Sequence, residues 1–144
     1  MVCKHFFKVP SHGRAASLGL ALVRVVAGLA FVLHGWGKIQ SPMDWMGPEA
    51  PVPGVLQLLA AIAEFVGGFA WVVGAFFPLA SFGIGATMLV AVFVHAVQLG
   101  HPFVGKGGAY ELPLLYLCVA ILFGLAGPGE YSIDRKLFGR RSNP

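Results

Sequence analysis

The chain is 144 residues long, 57% hydrophobic and only 11% charged, with a mean hydropathy of +0.78. A soluble domain carries about 25% charged residues, so this composition belongs to a protein of the lipid bilayer, and the length allows one compact domain. The formal net charge of +4 does not point to a nucleic-acid partner, because the basic residues gather at the chain ends rather than in a stripe on a soluble domain.

Residues 1–16 form a basic segment with Lys4, Lys8 and Arg14. The following "AASLGLAL" has the look of a signal peptide, but Arg24 interrupts the apolar run. The run then resumes well beyond signal-peptide length without a small-residue cleavage site, so it reads as a retained helix. Four apolar stretches stand out, at about 17–39, 55–77, 79–99 and 109–126. Each is close to the ~20 residues that cross about 30 Å of hydrocarbon. Backbone in lipid must bond to itself, so the predicted class is all-α, an integral membrane four-helix bundle over 17–126. No ten-residue alternation points to a barrel.

The connection 40–54 is rich in proline and carries Trp45 as an interface anchor. Pro78 breaks the chain between the second and third spans. The loop 100–108 is rich in glycine and holds His101 and Lys106; Pro113 then falls in the first turn of the fourth span, where proline is tolerated. The tail 127–144 opens with a turn and continues as a short basic segment for a membrane surface, with Arg135, Lys136, Arg140 and Arg141. An even number of spans and two basic ends place both termini in the cytoplasm, in a multi-pass protein of the inner (plasma) membrane.

A charged side chain at mid-span costs about 2.5–3.5 kcal/mol even on the milder insertion scale, so each needs a reason. The ionisable residues within the spans are Arg24, His34, Lys38, Glu64, His95 and Glu111. At about 100° per residue, Arg24, His34 and Lys38 share an arc of roughly 80° that must look into the bundle. If the two span ends are level, the Arg24 side chain reaches most of the way to Glu64, and the expected buried ion pair is Arg24–Glu64. Gly67 and Gly68 lie beside Glu64 on its face and let a neighbouring helix come close. His34, Lys38, His95 and Glu111 all fall within about two turns of the outer surface and form a candidate polar pocket, with His101 just above.

Two readings of that layer stand side by side. It is a hydrated layer from which Lys38 snorkels outward. Alternatively it is a site where two histidines, a lysine and a carboxylate bind the oxygens of a quinone and exchange its protons, since histidine titrates near neutral pH. A metal site is a third option, since two histidines and two glutamates are suitable ligand types. No Glu-x-x-His pair occurs on either glutamate-bearing helix, however, which argues against a di-iron site, and no metal is assigned. Cys3 and Cys118 lie at different depths, so no disulfide is expected, and Cys118 reads as a small core residue.

At these residues the chain resembles the DoxX/DoxD-like family of small four-helix membrane proteins. The matching pieces are "LVRVVAGLAFVLHGWGKI", "AEFVGGFAWVVGAFFPLA", "MLVAVFVHA", "GGAYELPLLYL" and "GPGEYSIDRKL", in the family's order over nearly the whole chain. The family pattern falls on Arg24, His34, Lys38, Glu64, Gly67, Gly68, His95 and Glu111; the loop 40–54 is this chain's own. The resemblance implies a membrane protein of quinone-linked or redox-stress chemistry, since some members look like subunits of thiosulfate:quinone oxidoreductases and others are associated with redox-stress complexes or quinone tolerance. The expected function is a redox-associated subunit with a quinone as candidate cofactor, or, as the alternative, a non-catalytic scaffold for soluble redox enzymes. No flavin or nicotinamide motif occurs, so electrons would come from a soluble redox partner protein. Self-association into an oligomer is left open, and transport is the remotest reading, as no inverted repeat is evident.

Overall fold

A computed structural model describes residues 9–139. Cys3, Lys4, Lys8, Arg140 and Arg141 lie outside the described residues, and with them most of the basic ends read above. The described residues are helical and contain no strand: α1 (Arg14–Gln40), α2 (Gly54–Val73), α3 (Phe77–Phe93), α4 (Glu111–Ala126) and the short α5 (Ile133–Phe138). A π-helical turn, Val94–Gln98, continues α3. Arg14–Gln40, Gly54–Val73 and Phe77–Gln98 are each long and apolar enough to cross a membrane. The α4 helix has 16 residues, about 24 Å at 1.5 Å per residue. Consecutive helices from α1 to α4 pack against one another.

The outward faces carry large apolar side chains, among them Leu33, Phe82 and Leu125 at 73%, 74% and 79% exposure. Water would oppose such a surface, whereas lipid tails solvate it. Inside, Phe31, Trp71, Phe77, Ile84, Met88 and Phe123 form the core. Trp71 sits at its centre, edge-on to Phe31 and Phe123, with its indole N–H donated to Ser81 Oγ at 3.1 Å.

The second span ends earlier than its hydropathy suggests. Gly74 adopts a left-handed conformation (φ 69°) and donates its N–H to Ala70 and Trp71 carbonyls, stopping α2 at Val73. The break is therefore made by Gly74, and Pro78 sits in the first turn of α3, where no backbone donor is needed.

Glycines set the level of α1 against α2. A Cβ on Gly28 would strike Val72, one on Gly68 would strike the Val32 N–H, and one on Gly35 would strike the backbone of Phe65. Facing positions thus add up to 100 along the whole interface. The ends of the two helices are not level, as the hydropathy alone had suggested. Lys38 stands opposite position 62 and Arg24 opposite position 76.

The end of the molecule around Arg24 is closed by the C-terminal segment. Asp134, 1% exposed, accepts the N–H groups of Phe76 (2.9 Å) and Phe77 (2.8 Å), capping α3, while its own N–H bonds to Gly74 O. Ser132 caps α5 by accepting from Arg135 N. Arg135 pairs with Glu130 at 2.9 Å, and His12 donates to Ala126 O at 2.7 Å. This segment, read above as basic and suited to a membrane surface, also plugs the end of the helices, anchored by a buried acid. Cys118 is exposed on α4 rather than in the core.

Candidate functional site

Between α1, α2, α3 and α4, at the end away from the plug, lies a cavity of about 400 Å³, within the range of sites that enclose a small organic molecule. Phe31, Leu56, Met88, Val94 and Leu112 supply much of its apolar wall. Its polar groups include His34 and Lys38 from α1, Gln57 and Glu64 from α2, Thr87 from α3, His95 from the π-turn and Tyr116 from α4. Trp45 of the first loop also faces it.

The expected Arg24–Glu64 pair does not form. Glu64, 2% exposed, is paired with Lys38, whose Nζ lies 2.5 Å from Oε1. The physical reason is the register: Arg24 is twelve positions, about 18 Å, from the level of Glu64, while Lys38 is two positions away. Arg24, 4% exposed, instead donates Nη1 to Pro128 O at 3.1 Å and Nη2 to Tyr131 O at 2.8 Å. Asp134 supplies the negative charge that acts on it. Arg24 therefore belongs to the plug and Glu64 to the cavity. Glu64 Oε2 has no partner among the described residues.

Lys38 is also covered from above. The Trp45 ring lies 4.3 Å from Nζ, a cation–π contact. Trp45 is held there by Gln57, which accepts its indole N–H on the backbone oxygen and the Met46 N–H on its side chain, both at 3.1 Å. Trp45, expected as an interface anchor, also forms a wall of the cavity.

Of the four residues expected in one pocket, His34, Lys38 and His95 line the cavity and Glu111 does not. Glu111 is the first residue of α4, exposed, with its N–H on Phe103 O. A carboxylate there faces the positive end of α4, which accounts for it without the cavity. The carboxylate beside Lys38 in the cavity is that of Glu64. Gly67 packs on Ile84 of α3 and Gly68 on α1. Among the described residues no group of three or more metal-ligating side chains occurs.

His101, expected just above the pocket, bonds directly to one of its residues. His95 Nδ1 and His101 Nδ1 are hydrogen-bonded at 2.9 Å, with ring centres 5.1 Å apart. The π-turn ends with Leu99 N on Val94 O, Gly100 turns the chain at φ 63°, and His101 N returns to His95 O at 2.9 Å. Continued as an α-helix, residue 101 would point about 120° away from residue 95.

The fold and site define an all-helical integral membrane protein with a mostly apolar cavity lined by the Lys38–Glu64 pair and two histidines. The chain belongs to the DoxX family, whose sequence profile matches residues 19–96, just over half of the chain and including Arg24, His34, Lys38, Glu64 and His95. It is 31% identical to a Haemophilus influenzae protein named only as uncharacterized, covering 83% of this chain and 90% of that one. It is 32% identical to the inner membrane protein YqjF of Escherichia coli K12, covering 83% and 92%. A Bacillus subtilis protein named "Putative oxidoreductase CatD" is 27% identical over 90% of this chain and 95% of its own length. No solved structure matches the chain significantly.

Proposed function

We propose that this protein spans the inner membrane as a four-helix bundle with both termini cytoplasmic, and that its cavity binds a quinone or a similar apolar redox molecule as part of a redox-associated assembly. The observation that carries the reading is the cavity itself: about 400 Å³, mostly apolar, with the Lys38–Glu64 pair, His34 and His95 lining it. An aromatic ring with two oxygens suits such a site, since the apolar wall takes the ring and tail while Lys38 and the histidines meet the oxygens. The name of the Bacillus subtilis relative is in keeping with redox chemistry.

The test is purification in detergent, identification of retained quinone by mass spectrometry, and titration with a short-tailed quinone followed by tryptophan fluorescence, which Trp45 reports from the cavity wall. Quinone retained by the parent and lost when Ala60 or Ala91 is replaced by Trp to fill the cavity supports the reading. A parent that neither retains quinone nor responds to it overturns it, and favours a scaffold whose cavity is only a packing gap.

A further inference from the structure

We infer that His95 and His101 form a two-imidazole relay that carries a proton from a weakly acidic ring hydroxyl, of the phenol or quinol kind, in the cavity to water over the 99–110 loop. The inference rests on the proposed cavity ligand but concerns a residue outside the cavity. His95 lines the cavity while His101 does not. The two rings meet through Nδ1 on each side, at 2.9 Å, so Nε2 of His95 is the nitrogen left for the cavity and Nε2 of His101 the nitrogen left for the loop. His101 lies beyond the apolar span Phe77–Gln98, is partly exposed, and is followed by the exposed stretch 102–107.

The pair is built rather than incidental. The π-turn and the positive φ of Gly100 together bring residue 101 back over residue 95. A Cβ at Gly108 would lie 2.5 Å from His101 Cε1, so only glycine lets the loop close on that ring. Tyr110 N on Pro102 O and Glu111 N on Phe103 O tie the loop to the start of α4. The titratable groups around the pair are His34, Lys38, Glu64 and Tyr116 on the cavity side, and Lys106, Tyr110 and Glu111 on the loop side.

The proton balance is simple. Between two neutral imidazoles joined by their Nδ1 atoms, one donates and the other accepts. With His95 as donor, its Nε2 holds a lone pair. The ligand O–H bond breaks and its proton goes to His95 Nε2, while the His95 Nδ1 proton passes to His101 Nδ1. His101 then releases its Nε2 proton to water, and the anionic ligand oxygen remains beside Lys38. The same steps in reverse, with a proton from water entering at His101 Nε2 and the His95 Nε2 proton returning to the ligand oxygen, restore the start, so the pair equilibrates ligand and water protons in either direction. No electron moves in these steps.

The experiment uses the full chain in detergent and 4-nitrophenol, whose deprotonation is followed by colour. Binding is read from tryptophan quenching and from displacement by quinone, and proton release by stopped flow in weakly buffered solution. His101→Gln is expected to bind 4-nitrophenol as the parent does but to release the proton about a hundredfold more slowly, the usual worth of a positioned acid–base group. Millimolar imidazole should restore the rate, which a purely structural role for His101 would not allow; His101→Asn serves if the glutamine variant is unstable. Binding with a parental release rate in both variants, or a slow rate that imidazole leaves unchanged, overturns the relay alone. A parent that binds quinone but not 4-nitrophenol overturns the relay alone; a parent that binds neither overturns the cavity reading and the relay with it.

Discussion

The Lys38–Glu64 pair offers the sharpest test of the register. Lys38→Met leaves Glu64, 2% exposed, as a buried carboxylate with no partner on either oxygen, an expected loss of about 3–5 kcal/mol. Glu64→Leu is milder. Lys38 is 23% exposed and stands two residues from the end of α1, so its amine is free to turn toward the surface. The loss is then about 1.5–3 kcal/mol, that of a hydrogen bond to a charged group. In the double variant two charges are replaced by apolar side chains of similar length, and the net change is within about 1 kcal/mol. Thermal unfolding of the parent, both single variants and the double in detergent gives the coupling directly. The same cycle run on Arg24→Leu and Glu64→Leu is a built-in control. These residues are too far apart in level to touch, and their losses should add to within about 0.5 kcal/mol. Additive losses at Lys38 and Glu64, or strong coupling between Arg24 and Glu64, would refute the register set by the glycines.

Replacing Asp134 with Ala removes the acceptor of two backbone N–H groups at the start of α3, and is expected to cost about 1–3 kcal/mol in unfolding experiments, with Asp134→Asn losing less. Gly35→Ala should destabilise by about 1–3 kcal/mol because the new methyl meets the Phe65 backbone at 2.6 Å. Gly37→Ala, with nothing within 4 Å, should gain roughly 0.5–1 kcal/mol from helix propensity. Reporter fusions after Lys136 should read cytoplasmic and fusions within 41–53 should read outside; the opposite result would reverse the compartment that His101 faces.

Much of the local structure was written in single stretches of sequence. Apolar runs located α1, α3 with its π-turn, and α4 to within a few residues, because a helix in lipid depends on its own length and hydropathy. The unusual residues of the cavity were equally legible: His34, Lys38, Glu64 and His95 stand out because charge and imidazole are costly in such surroundings. Their pairing was not. A thirteen-residue loop, 41–53, leaves the level of α2 against α1 free. Only the close approaches at Gly28, Gly35 and Gly68 decide it, moving the partner of Glu64 from Arg24 to Lys38. The end of α2 was misplaced for a related reason: hydropathy continues through Phe77, but the left-handed Gly74 stops the helix, and Asp134 from the far end of the chain caps the next one. Likewise the six-residue spacing of His95 and His101 would hold their directions about 120° apart on a regular helix. What joins them is the extra turn of Val94–Gln98 and the reversal at Gly100. Sequence by itself determined which segments form the long apolar helices and which side chains are out of place on them. Tertiary packing decided which of those side chains meet, because register and turn geometry arise from contacts between helices rather than from the composition of any one of them.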